Sequence, residues 1–145
     1  VIVLDTNVVS ELMRNEPDER VVEWVDHYPA DDVFVTAVTA AELLYGVERL
    51  PDGRRKSSLM VKVAELLAED FQGQVLPFGI AAAAHYAQIS AARERGGRPI
   101  TMVDAQIAAV CLHHNAHLAT RNTKDFIDTG VRVLNPWDDT ESLST

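Results

Sequence analysis

The sequence predicts an α/β fold, with a parallel sheet of about five short strands covered by helices on both faces. Three observations predict it. Short apolar strand patterns alternate with helix-like stretches along the chain, which is how strand–helix–strand units read. Residues 1–4 are continuously apolar, as a strand buried on both faces should be. Four carboxylates, Asp5, Glu42, Asp104 and Asp125, stand where a strand ends or a helix begins. In parallel sheets, ligand sites lie beyond the carboxyl ends of the strands.

Residues 1–4 make the first strand and residues 6–14 a short helix. Pro17 suits a first helical turn. Val21, Val22, Val25 and Tyr28 then form the apolar face of a helix reaching about residue 28. Residues 33–35 are a second strand. Thr39 caps a helix to about Leu50, which Pro51-Asp52-Gly53 breaks. Leu59, Val63, Leu66 and Leu67 stripe the next helix at helical spacing. Val75 and Leu76 form a third strand before Pro77. Residues 80–95 are Ala-rich and helical, stopped by Gly96-Gly97. Thr101 opens a helix to about His114. Leu118 and Ala119 lie in a fourth strand, and residues 131–134 form a fifth. Asn135-Pro136-Trp137 closes the pattern. Residues 1–138 therefore read as one domain and 139–145 as a flexible polar tail.

The 145 residues suffice for one core, and a 47% hydrophobic content is ordinary for a globular chain. The single Cys111 excludes an internal disulfide and suits a reducing compartment. No apolar run approaches the ~20 residues that span a bilayer, and no secretory signal is expected. A cytoplasmic protein with no membrane association is the expectation. The formal net charge is −9, which repels a phosphate backbone unless basic residues are gathered locally. Three groups qualify: Arg54-Arg55-Lys56, Arg93/Arg95/Arg98, and Arg121 with Lys124. Each also reads as a solvated loop or helix end.

Each acid has a structural reading beside a functional one. Asp5 can cap the following helix through a backbone N–H, and Asn7 can do the same. Thr39-Ala-Ala-Glu42 matches a capping box, and Thr101-Met-Val-Asp104 is a looser version of it. Asp125 can brace the turn before Phe126. Yet Glu42 and Asp104 are the only charges in two long apolar stretches. A lone carboxylate at the head of a buried helix needs a compensating partner. Crowded carboxylates raise one another's pKa, and protonation or a divalent metal relieves them. Oxygen-only donors favour Mg²⁺ or Mn²⁺. His27, His85, His113, His114 and His117 lack metalloprotease spacing and read as surface or packing residues, and Ser10 reads as helix surface.

Taken in order, D-T-N at 5–7, T-A-A-E at 39–42, T-M-V-D at 101–104 and T-R-N-T-K-D-F at 120–126 resemble the PIN-domain ribonucleases. More narrowly they resemble VapC-type toxins of bacterial toxin–antitoxin pairs, including the FitB-like branch. The likeness runs from residue 1 to about 138, and the closing Asn135-Pro136-Trp137 fits it. It implies a three-layer α/β/α sandwich and Mg²⁺- or Mn²⁺-dependent RNA cleavage. It also implies inhibition by a cognate antitoxin, a homodimer, and operator DNA reached through the antitoxin.

Residue by residue, Asp5, Glu42 and Asp104 match the three core acids, catalytic and metal-binding. Thr120 matches the hydroxyl residue before the fourth acid, with Asn7 in support. Some relatives carry Asp where this chain has Asn122. Either Asp125 replaces it as a catalytic acid, or Asn122 serves through its amide. Arg93, Arg95, Arg98, Arg121 and Lys124 are the candidate RNA contacts. The helices near residues 18–28 and 39–67 are the expected antitoxin groove, which an antitoxin Arg would leave to reach the acids.

Rival readings make specific demands. A haloacid dehalogenase-type phosphatase wants a second Asp two residues after the first, where Asn7 stands. A receiver domain needs an acidic pair before a mid-sheet nucleophilic Asp, and none is present. A catalytically silent module that keeps the fold and only binds a partner remains the alternative from another class.

Overall fold

Five strands form one parallel sheet: β1 (Ile2–Leu4), β2 (Val33–Thr36), β3 (Val75–Leu76), β4 (His117–Ala119) and β5 (Val133–Leu134). Their order is β3-β2-β1-β4-β5. The computed structural model describes residues 1–138, and the tail expected over 139–145 lies outside the described residues. The chain winds outward from β1 to β3, then returns to the other side of β1 as β4. That reversal puts a topological switch point between the carboxyl ends of β1 and β4, where such sheets open a crevice. Leu4 pairs with Ala119 there, so Asp5 and Thr120 leave the sheet side by side.

The central strands alternate their side chains between two buried faces. Ile2, Leu4, Val33 and Val35 point to one face, which is covered by α1 (Thr6–Leu12), α2 (Glu19–Asp26), α3 (Ala37–Glu48) and α4 (Arg54–Glu65). Val3 and Leu118 point to the other, covered by α5 (Ile80–Arg95) and α6 (Met102–His113). The expected three-layer sandwich is the observed one. Trp24 and Val21 of α2 are fully buried in the first core. Ala82, Ala105, Ala108 and Ala109 let α5 and α6 pack closely in the second.

Several boundaries differ from expectation for local reasons. Helix α3 begins at Ala37 because Thr36, still extended at the end of β2, takes the cap and accepts from Thr39 N at 3.0 Å. Asp18, not the Pro17 turn, opens α2 by accepting from Arg20 N at 3.0 Å. Helix α1 stops at Leu12, and the buried Glu11 carboxylate gathers the turn by accepting from Asp18 N at 2.9 Å. Strand β5 starts only at Val133, because Gly130, at φ +87°, and the Thr129 hydroxyl still hold Val131 in a turn. Thr101 opens α6 as expected, accepting from Asp104 N at 3.1 Å.

Candidate functional site

Asp5 is the centre of the crevice and is only 5% exposed. One of its oxygens accepts from Thr6 N at 2.9 Å, capping α1. The other accepts from Thr120 Oγ1 at 2.8 Å and Asn7 Nδ2 at 3.2 Å. Capping and site-building therefore coexist in one carboxylate. Thr120 is fully buried and completely used: it donates to Asp5 and accepts from Asn7 Nδ2 at 3.3 Å and Asn122 N at 3.1 Å. Asn7 Oδ1 also accepts from Arg121 N at 3.1 Å. These bonds lock the 120–122 loop onto the first turn of α1.

Glu42 lies in the second turn of α3, because Thr36 and not Thr39 is the cap. The capping box expected of Thr39 and Glu42 therefore does not form. The Glu42 carboxylate instead accepts from the Thr6 hydroxyl, which also stands 3.1 Å from Thr39 Oγ1. Asp104 sits in the first turn of α6, half-buried. Asp125 lies in the short helical turn Thr123–Phe126, whose start is tied by Asp125 N donating to Asn122 O at 3.0 Å.

Electrostatics join these acids. Burial raises the pKa of Asp5 above its ordinary 3.8; the Thr120 and Thr6 bonds oppose it, and the charge of Glu42 adds to it. Asp104 is pushed up to about 6, first by burial and then by the charge of Asp5, with Asp125 and Glu42 adding to the rise. The Thr101 hydroxyl only partly offsets this. Among the described residues, no ion pair involves any of the four acids. Like charges without a basic partner fit a cation.

The donor set is oxygen only, which suits a hard ion. Among the described residues, however, no three His, Cys, Asp or Glu side chains are packed tightly enough to grip a metal by themselves. A hard ion that keeps several waters and takes only one or two carboxylates directly fits this donor set.

A groove of about 990 Å³ runs between α1, α3 and α4. It meets the acidic site at Thr6 and Glu42; Asp5, Asp104 and Asp125 lie outside its walls. Its floor includes Leu43, Val47 and Leu59, and Arg14, Arg55 and Lys62 stand along it. No α2 residue lines it. Of the apolar side chains expected in an antitoxin groove from residues 18–28, Trp24 and Val21 are spent in the core, and Val25 and Tyr28 are partly buried against it.

The basic rim also needs correction. Arg93 is 8% exposed and cannot meet RNA. Its guanidinium donates to three backbone carbonyls, of Arg98, Asp125 and Ile127. Arg95 and Arg98 are exposed, Arg98 standing 3.8 Å from Asp128. Arg121 lies over the Trp137 ring at 4.8 Å, and Lys124 is exposed. The residue that the sequence reading missed is Thr6, the anchor of Glu42. Its signal was the hydroxyl beside Asp5 at the head of a helix.

A family model described as PIN domain matches residues 2–131. The chain is 42% identical over 139 residues to Toxin FitB of Neisseria gonorrhoeae, covering 96% of this chain and 100% of that one. It is 36% identical over 138 residues to VapC ribonuclease Y4jK of Sinorhizobium fredii, covering 95% and 99%. Among solved structures, FitAB bound to an IR36 DNA fragment matches with a TM-score of 0.88 at 40% identity, over 96% of this chain and 97% of that one.

Proposed function

The chain belongs to the PIN-domain family, and from that premise we propose that it is a toxin endoribonuclease. It hydrolyses RNA phosphodiester bonds with Mg²⁺ or Mn²⁺ at clustered carboxylates, and a cognate antitoxin neutralises it. PIN-domain ribonucleases generally use divalent metal ions. The observation that carries the reading is the quartet of acids without an ion-pair partner among the described residues: Asp104, pushed up to about 6 by burial, also feels the charges of Asp5, Asp125 and Glu42.

Asp5 and Asp104 would hold the ion, and Glu42 its water shell. The ion, when bound, supplies a water of lowered pKa and offsets charge on the leaving oxygen. The protein's own work is orientation. Thr120 and Asn7 fix one Asp5 oxygen, and Thr6 fixes Glu42. Either Asp125 would serve as the fourth acid, or Asn122 would serve in its place through its amide. Asp104 can hold a proton up to about pH 6 when the cation is absent.

The groove between α1, α3 and α4 offers an amphipathic antitoxin segment an apolar floor, and a net charge of −9 favours a basic partner. The protein acts as a homodimer, and its antitoxin carries the pair onto operator DNA, as the DNA-bound FitAB relative suggests. Its residues 1–138 form the PIN domain. Among those residues no helix is long and apolar enough to cross a membrane, and we place the protein in the cytoplasm.

Cleavage of single-stranded RNA with and without Mn²⁺ tests the reading, with Asp5→Asn as the control. Metal-dependent cleavage lost in Asp5→Asn is the expected result. Wild-type protein that binds its partner but leaves RNA intact in Mn²⁺ would establish the silent binding module instead.

A further inference from the structure

The Arg93 side chain is a buried cation with no carboxylate within ion-pair reach among the described residues. It leaves the last turn of α5 and spends its donors on two different segments. Nε donates to Arg98 O at 2.6 Å. Nη1 donates to Asp125 O at 3.0 Å and to Ile127 O at 2.8 Å. The first carbonyl belongs to the turn that leads through Pro99 and Ile100 into Thr101, the cap that sets the first turn of α6 and so Asp104. The second is the backbone of Asp125 itself. The mountings of two acids, on segments far apart in sequence, thus meet on one planar group. A guanidinium spans several acceptors in a fixed fork that an ammonium cannot reproduce.

We propose that Arg93 is a positioning residue that sets the spacing between Asp104 and Asp125, and through it the divalent-cation site. The assignment rests on the ribonuclease reading above. It makes no use of the Arg93 charge toward substrate, because the side chain is sealed behind the carbonyls it holds. Partners bonded directly to a metal ligand are worth about 10- to 100-fold in metal affinity or activity, and Arg93, which acts through the backbone, belongs at the lower end of that range.

The test compares wild type with Arg93→Lys, Arg93→Gln and Arg93→Met, and with Arg95→Met as an exposed control. Mn²⁺ affinity is measured by titration calorimetry without RNA, and kcat and KM on a fluorescent single-stranded RNA, at a temperature where each protein is folded by circular dichroism. Arg93→Lys should lose about 10-fold or more in Mn²⁺ affinity and in kcat, with KM nearly unchanged. Arg93→Met should lose at least as much, and Arg95→Met should keep both. A folded Arg93→Lys with wild-type Mn²⁺ affinity and kcat overturns the assignment. Wild type that neither binds Mn²⁺ nor cuts RNA overturns the ribonuclease reading, and the assignment with it.

A measurement on wild type alone covers the case in which no Arg93 variant folds. Hydrogen exchange at residues 98–104 and 122–127 should slow together on adding Mn²⁺. Protection of one segment without the other would overturn the clamp.

Discussion

Asp104→Asn should make the metal-free protein more stable at neutral pH while destroying its activity. The carboxyl is displaced from 3.8 to about 6, which at ~1.36 kcal/mol per pKa unit corresponds to about 3 kcal/mol. Two effects reduce what a variant recovers. Asp104 is only half-buried, so solvent moderates both the burial penalty and the repulsion from its neighbours. A carboxylate in the first helical turn also gains about 0.5 kcal/mol from the helix dipole, which Asn forfeits. A net gain of about 1 kcal/mol remains, or ~2–4 °C in Tm.

The sign follows from proton binding. The folded state holds the Asp104 proton up to about pH 6, and the unfolded state releases it near 3.8. Wild-type stability from this group therefore falls as pH rises through that window and is flat above it. The variant's advantage should be near zero below pH 4, intermediate at pH 5 and full at pH 7.5. Thermal unfolding in EDTA at those pH values measures it. Saturating Mn²⁺ should reverse the order, because a ligand at 100 times its Kd adds about 2.7 kcal/mol to the protein that binds it. A variant less stable than wild type at pH 7.5 without metal, or an advantage that does not change with pH, refutes the reasoning.

Thr120→Val should cost about 1–3 kcal/mol of unfolding free energy in a denaturant titration, since it strips a buried carboxylate of its shortest side-chain bond and leaves Asn122 N without an acceptor; Thr120→Ser should recover most of it. Neutralising Arg95, Arg98 and Lys124 together should weaken RNA binding and flatten its salt dependence by about 0.7 in slope per lost contact on a single strand, measured by fluorescence anisotropy from low to moderate salt, whereas an unchanged slope would move the RNA path elsewhere. Gly46 lies in the wall of the groove with open space where a Cβ would stand. Gly46→Phe should fold normally and lose co-purification with the antitoxin, and retained binding would place the antitoxin on another face.

The sheet was legible because its strands are short, apolar and β-branched, and burial on both faces erases alternation. The convergence of Asp5 with Thr120 followed from strand ends alone, since only the switch point brings those ends together. The cap of α3 was not legible. Thr36 and Thr39 are three residues apart, both follow apolar residues, and either can cap; only the extended backbone at the end of β2 selects Thr36. The role of Arg93 was legible in principle. Ala82, Tyr86, Ile89 and Arg93 fall at helical spacing, and Ala82 and Ile89 are core residues. Grouping Arg93 with Arg95 and Arg98 by nearness in sequence ignored that stripe, which turns Arg93 inward and leaves the other two outside. The inward packing of Trp24 and Val21 was not legible, because an apolar face gives no sign of whether it meets the sheet or a partner.

The residues around the acids share one property that bears on how the site works. Asp5 could have been steadied by a buried Arg or Lys, which would satisfy it better than three neutral bonds do. Its partners are instead Thr6 N, Thr120 and Asn7, and Glu42 is held by Thr6. Neutral donors fix an oxygen in place without cancelling its charge, so the field at the crevice stays negative. A cation built into the chain would have competed with a bound metal and lowered its affinity. The one buried cation among the described residues obeys the same rule: Arg93 turns its donors to carbonyls, and none to a carboxylate. The cost is an apo state of buried, uncompensated carboxylates, visible in Asp104 and Asp5, which are raised first by burial and then by neighbouring charge. A site arranged this way is stabilised by a positive group that enters it, a hydrated metal or a basic side chain. Activity and inhibition then draw on the same unbalanced charge.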